Sequence, residues 1–310
     1  RRYQELQGIG TELKQVGEQI LGAESRNQVA MLLSYDTRWA FHVQPNHNDF
    51  EYAELFGGYY TALNRRNVGV DIVRPTADLS QYQLVLAPAL HVLSEEVAGN
   101  LSRYVSGGGT LATTARTGVK DETNAVVNTP LPGFLADLCG VQVDEYDVLP
   151  ADVNVPLALD LTSFEGETGP AHARLWCDML MPTTAQIVGR YQELPDGPGP
   201  YYAGRAAVTL NHFGQGRAVY VGTMGNVALQ QSIVDWLIDT TSVSPVLNTP
   251  DDVEAVERWK GGVHLLFLLN HADESRAVTL FQPMTDLLTG TVIEGQTKLE
   301  PKAVLILHEV

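Results

Sequence analysis

The chain has 310 residues, enough for about two domains, and 44% of them are apolar, so it can bury a sizeable core. Its formal charge of -17, from 37 acidic against 20 basic residues, repels a polyanion and offers no phosphate-neutralising stripe, which excludes nucleic acid as an expected partner. No apolar run is long enough to span a bilayer, the opening stretch RRYQELQGIG lacks the core of a signal peptide, and two cysteines are too few for a disulfide framework. No membrane contact is expected, and the reading is a reducing, cytoplasmic location.

The first element places Leu6, Ile9, Leu13, Val16 and Ile20 on one helical seam, which must pack against something. Gly8 and Gly10 weaken it as a free helix by about 1 kcal/mol each. From Asn27 the run NQVAMLL reads as a parallel strand buried on both faces. A helix follows with Tyr52, Leu55, Phe56, Tyr59 and Leu63 on one stripe. VGVDIV and LVLAPA are strands, Ser94 opens a helix with Val97, Leu101, Tyr104 and Val105 on one face, and TLATT closes the series. Strands alternating with helices of this length predict a parallel, doubly wound sheet, flavodoxin-like (class I amidotransferase-like), with its main part over Ser25 to about Leu149.

The triple glycine Gly107-Gly108-Gly109 lies between a helix and a strand, the reverse of a phosphate loop, and reads as a helix stop. Asn100-Leu101-Ser102 is a formal glycosylation sequon inside a helical pattern, and is not expected to be used. Beyond Pro150 the pattern turns β-rich. LPDGPGP is a loop, AVTLNHFGQGRAVYVG a hairpin around Gly214-Gln215-Gly216, and Val227 to Ile238 a helix. From Ser244 the strands VEAVERW, VHLLFLLN, AVTLF and AVLILH predict a small antiparallel β domain, a sandwich or partial barrel.

A serine hydrolase needs G-x-S-x-G, which is absent. An amidotransferase-like enzyme needs a cysteine on a strained turn with a His-x-Glu partner; no H-x-E occurs, and Cys139 and Cys177 read as small core residues. His42, His47, Asp49 and Glu51 crowd together but match no standard metal spacing, so the stretch is expected to be a polar loop with an N-cap at Asn48 or Asp49. No metal and no cofactor is expected. Carboxylates abound, as a glycosidase requires, but no Asn-Glu pair of the kind many barrel glycosidases use is present.

The order SYDTRWAF, VDIVRPTADLSQYQLVLAPAL, YVSGGGTLATTARTG, then YYAGRAAVTLNHFGQGRAVYVGT, LFLLNH and DLLTG, resembles the middle and C-terminal domains of glycoside hydrolase family 42 β-galactosidases over almost the whole chain. The resemblance implies an enzyme in three parts: a (β/α)8 barrel, a flavodoxin-like trimerisation domain and a small β domain. It divides this chain into a connector helix from a missing barrel (1–24), a trimerisation domain (25–243) and a small antiparallel β domain (244–310). The parent hydrolyses terminal β-D-galactosides with retention on barrel carboxylates, so this chain is expected to be the non-catalytic half, with no catalytic residue of its own and a homotrimer and its own barrel as partners.

LSYDTRWAF follows the first strand, where open α/β sheets bind ligands. On one reading Tyr35, Arg38, Trp39 or Phe41 lines the mouth of a barrel site; on the other, the aromatics pack a joint and Asp36 pairs with Arg38 on the surface. Tyr59 and Tyr60 point about 100° apart on their helix, so if Tyr59 is buried Tyr60 lies on the flank, and residues 35 to 66 are expected in or beside the trimer interface. A free-standing amidotransferase-like enzyme and a carbohydrate-binding module stay open as alternatives, the latter with Trp259 as a thin platform.

Overall fold

The structure, a computed structural model, describes residues 2–161, 169–194 and 199–309. Of the loop expected at LPDGPGP, residues 195–198 lie outside the described residues. The chain forms two compact units: Gln28–Leu63 with Val70–Val243, and Arg1–Asn27 with Asn64–Gly69 and Ser244–Val310. No helix among the described residues is long and apolar enough to cross a membrane.

Helix α1 (Arg2–Ile20) belongs to the smaller unit. Of the expected seam only Val16 is covered, at 1% exposure, whereas Leu6, Ile9 and Leu13 are 66%, 52% and 58% exposed. Its last turns are held by the Gln15 side chain, which donates to the Leu287 and Leu288 carbonyls at 2.9 and 2.7 Å, and by Lys260, which donates to the Glu18 carbonyl.

The larger unit begins with β1 (Val29–Leu32), α2 (Tyr35–Val43), α3 (Tyr52–Arg65), β2 (Val70–Val73), β3 (Leu84–Ala87), α4 (Glu95–Ser106) and β4 (Thr110–Thr114). A short α5 (Ala136–Cys139), β5 (Val141–Val148), β6 (Val155–Leu159), β7 (His172–Ala173), β8 (Trp176–Pro182), β9 (Gln186–Tyr191), β10 (Ala206–Phe213), β11 (Gly216–Val221) and α6 (Val227–Thr240) follow. One mixed sheet of 11 strands runs β2-β1-β3-β4-β11-β10-β9-β6-β7, with β8 joined to β10 and β5 to β8. β2, β1, β3, β4 and β11 are parallel to their neighbours in that series, and from β10 onwards the pairing is antiparallel.

β1, β3 and β4 are buried at every residue, as covered parallel strands require. α4 lays Val97, Ala98, Leu101, Tyr104 and Val105 on Ala30, Val85, Leu111 and Ala218 of the sheet, burial that contributes about 1.5–3 kcal/mol for each large side chain. Ser94 caps it by accepting from Val97 N–H, and the triple glycine ends it, with Gly108 in the left-handed region at φ +114. The hairpin turn presses on this end: a Cβ at Gly216 would lie 2.2 Å from the Gly109 carbonyl oxygen and 2.3 Å from that of Val105. Asn100, the sequon asparagine, donates to the Pro75 and Ala77 carbonyls at 3.0 and 2.9 Å.

Two local expectations are corrected. Tyr35–Val43 is a helix that takes in His42, expected in the polar loop: Ser34 accepts from Thr37 N–H at 3.1 Å, and Thr37, Ala40 and Phe41 face inward at helical spacing. Neither Asn48 nor Asp49 is an N-cap, because α3 starts only at Tyr52, and the Asp49 N–H donates to His47 Nδ1 at 3.0 Å.

In the smaller unit β12 (Val253–Lys260), β13 (Val263–Asn270), β14 (Arg276–Asp286), β15 (Val292–Leu299) and β16 (Val304–Glu309) form a single antiparallel sheet, ordered β12-β13-β16-β14-β15. The expected sandwich is therefore one sheet among the described residues. Val253, Ala255, Leu266, Leu268, Val278, Leu280, Met284, Leu299 and Leu307 converge on one core, and a register shift between Leu280 and Met284 bends β14. Asn67, carried on the turn after α3, is buried in this unit: its amide donates to the Leu247 carbonyl and Thr249 Oγ1, and its Oδ1 accepts from Ala255 N–H.

Candidate functional site

Ligands of open α/β sheets sit at the carboxyl ends of the parallel strands. There the chain after β3 carries His91, the chain after β4 carries Arg116, and β8 and β11 supply Trp176, Asp178 and Tyr220. His91 Nδ1 donates to the Arg116 carbonyl, 3.0 Å away, which requires that nitrogen to bear the proton. Burial, followed by the positive charge of Arg116, pushes its pKa down to about 4, so it is neutral at pH 7.

Asp178 accepts from Trp176 Nε1 at 2.8 Å and from the Tyr220 hydroxyl at 2.9 Å. Burial nevertheless pushes its pKa up to about 6, against these two bonds and the charge of Arg116. The Arg116 guanidinium carbon lies 4.3 Å from the centre of the Trp176 ring, and Tyr146 stacks on the same indole at 4.6 Å. Phe41 stacks on His91 at 4.5 Å and meets Phe50 edge-on at 4.8 Å. These side chains fill the strand ends. The cavity left between Phe41, Phe50, Arg116 and Trp176 measures about 10 Å³, room for no more than one water molecule.

The nucleophile of an amidotransferase-like enzyme would stand on a strained turn between strand and helix. Between β3 and α4 that backbone exists, at φ +41, but the residue is Ala89, fully buried, with its N–H donating to Thr114 Oγ1. Cys139 and Cys177 are buried, and burial pushes each thiol up to about 12, so neither forms a thiolate at pH 7. His47 uses both ring nitrogens, Nδ1 accepting from Asp49 N–H and Nε2 donating to the Leu149 carbonyl, and among the described residues no three His, Cys, Asp or Glu side chains converge on a metal position. His42 and Glu51 are exposed. Trp259 is no sugar platform: its ring is covered by Arg26, 4.4 Å from its centre, and by His264, stacked at 4.6 Å.

The residues singled out in LSYDTRWAF divide by helix face. Tyr35, Trp39 and Val43, four residues apart, form one exposed stripe on α2, with the Tyr35 and Trp39 rings 5.9 Å apart. Asp36 and Arg38 are exposed and form no ion pair with each other, since residues two apart on a helix do not face one another. Phe41 points inward, 3% exposed. On α3, Tyr59 is 1% exposed and Tyr60 40%. Arg116, Trp176, Asp178, His91 and Tyr220 escaped sequence reasoning; they come from four separate stretches with no shared local motif.

Family comparison matches residues 27–244 to the β-galactosidase trimerisation domain and residues 252–309 to the β-galactosidase C-terminal domain. β-Galactosidase BgaP of Planococcus sp. (strain L4) is 31% identical over 312 residues, spanning 100% of this chain and 45% of the relative. β-Galactosidase Bga of Halorubrum lacusprofundi is 37% identical over 238 residues, 76% of this chain and 33% of its own length. The crystal structure of a β-galactosidase from Bacillus circulans sp. alkalophilus superposes with a TM-score of 0.94 at 31% identity, over 100% of this chain and 45% of that one. The chain thus spans under half the length of these relatives.

Proposed function

The chain belongs to the glycoside hydrolase family 42 β-galactosidases, of which it is the trimerisation and C-terminal domains, and we propose that it serves as the assembly half of an enzyme whose chemistry is done elsewhere. The observation that carries this is the match of both domain models to a chain spanning 45% of BgaP. In the parent, an additional (β/α)8 barrel supplies the carboxylates that hydrolyse terminal β-D-galactosides with retention. The filled strand ends and the buried, neutral thiols support a reading in which this half does no chemistry of the amidotransferase kind.

The parallel series β2-β1-β3-β4-β11 follows the strand order 2-1-3-4-5 and supports reading the larger unit's parallel half as flavodoxin-like. The division into 1–24, 25–243 and 244–310 is the domain plan we adopt, with α1 as the connector to the barrel; its uncovered Leu6, Ile9 and Leu13 are the face the barrel covers. The assembly is a homotrimer, closed through two different patches per subunit, and the exposed Tyr35–Trp39–Val43 stripe with Asp36, Arg38 and Tyr60 contributes to one of them or rims a barrel site beside it. Reduced, buried Cys139 and Cys177 suit a cytoplasmic enzyme.

The test is turnover of a chromogenic β-galactoside by the purified chain. The expected rate is that of buffer. Turnover that follows the chain through purification and disappears when one of its own carboxylates is replaced overturns the reading.

A further inference from the structure

In the smaller unit, His264 on β13 stands between Glu257 of β12 and Glu309 of β16. Its Nε2 is 3.1 Å from Glu257 Oε2 and its Nδ1 is 3.1 Å from Glu309 Oε1. A neutral imidazole has one N–H and can serve only one of these carboxylates; the imidazolium serves both. Gln282, from the bulge of β14, also donates to Glu309 Oε1 at 2.9 Å, which fixes that carboxylate in place.

The imidazole stacks on Trp259, its partner across the β12–β13 pair. Arg26 also lies over this indole, its guanidinium carbon 4.4 Å from the ring centre. Trp259 is also the residue at which the chain after α1 adds to the sheet edge: the Glu24 and Trp259 backbones exchange both N–H···O bonds, each 2.8 Å long. One residue beyond Arg26 the chain passes from the smaller unit into the larger.

We propose that His264 is a proton-operated latch, which in its imidazolium form clamps Trp259 and thereby holds Glu24–Arg26 on the edge of β12, and in its neutral form releases it. Loss of the proton turns one ring nitrogen into a lone pair facing a carboxylate oxygen, so one of the two bonds becomes a repulsion and the ring no longer backs the indole. The charged groups about the imidazole are Glu257, Glu309 and, on the same indole, Arg26. The two carboxylates outweigh burial and raise the pKa of His264 above 6.5, the Glu257 hydrogen bond being the largest cause. A group whose folded pKa is raised contributes stability that is complete below about pH 6.5 and is lost as pH climbs through the raised value.

The experiment is amide hydrogen exchange on the 310-residue chain at about pH 6 and about pH 9, read as protection factors for Glu24 and Trp259 so that the intrinsic pH dependence divides out. Protection is expected to fall roughly tenfold between the two, as the loss of one charge-assisted hydrogen bond requires. In His264→Phe, which keeps a ring for stacking, it is expected to be flat with pH. If that variant fails to fold, Glu309→Gln takes its place and is expected to move the fall to lower pH. Wild-type protection that is flat or rises with pH, the sign expected if Arg26 instead gained from removal of a second cation, overturns the latch; so does a fall that persists in His264→Phe or stays at the same pH in Glu309→Gln.

Discussion

The Oδ1 of Asn67 accepts the backbone N–H of Ala255 at 2.8 Å, joining positions 188 residues apart, while the same amide donates to the Leu247 carbonyl at 3.0 Å and Thr249 Oγ1 at 2.7 Å. Every hydrogen-bonding direction of this buried side chain that faces protein is used, and its backbone sits at φ +50, where asparagine is tolerated better than most residues. Asn67→Ala removes three hydrogen bonds, leaves the Ala255 N–H without its acceptor and keeps the left-handed backbone. A loss of about 3 kcal/mol in urea unfolding is expected. A loss below about 1 kcal/mol would mean that water replaces the amide.

Asp178 makes the larger unit sensitive to pH. Its folded pKa, about 6, stands above the ordinary 3.8, so the contribution it makes is complete below about pH 4 and is lost as pH rises through about 6. Asp178→Asn removes that titration. The unfolding free energy of the variant should therefore gain on wild type between about pH 4 and pH 7, by up to about 3 kcal/mol at 1.36 kcal/mol per tenfold in proton affinity. A difference that is flat across this range, or shrinks, contradicts the burial argument.

On α1 the expected effects run opposite to hydrophobicity. Leu6→Lys with Leu13→Lys alters side chains that are already in water and should change the stability of the chain by no more than about 0.5 kcal/mol. Val16→Asp buries a carboxylate with no partner and should cost about 3 kcal/mol or more. Thermal melts of the two variants decide it, and a double-lysine variant that melts like Val16→Asp would show that the seam is covered within the chain.

For assembly, Trp39→Asp made together with Tyr60→Asp places two charges on exposed positions of α2 and α3. Light scattering should show the homotrimer proposed for the parent falling to smaller species while the melting temperature of the isolated chain stays put. A trimer of unchanged mass removes this surface from the interface.

Much of the fold was legible because it rests on local pattern. The apolar runs of β1 and β3 are buried throughout, and Ser94 followed by two acids marked the start of α4 to the residue. α2 was missed because nine residues give too short a period; its signal was Ser34 three residues before Thr37, a cap rather than a stripe. The inward direction of Phe41, 3% exposed, depends on that helix phase, so sequence could not choose between its two readings. The grouping of Arg116 with Trp176 and Asp178 was not legible at all, since it depends on β8 reaching β11's residues through the sheet and on a left-handed backbone at a non-glycine residue. The single sheet of the C-terminal unit was half legible: the strands were evident, but whether they close over one core or face a second layer is decided by register, above all by the bend in β14.

An eleven-strand sheet invites growth by pairing at its margins, the route that leads to fibres. Each margin among the described residues is blunted. β2 has 4 residues, β7 has 2, and the eight-residue β5 carries a register shift between Val143 and Glu145 with Asp144 and Glu145 turned to solvent. Another copy therefore finds no long, flat, uncharged strand on which to template itself. Self-association is steered away from backbone ladders and onto side chains of the helices, where geometry can close a ring and stop.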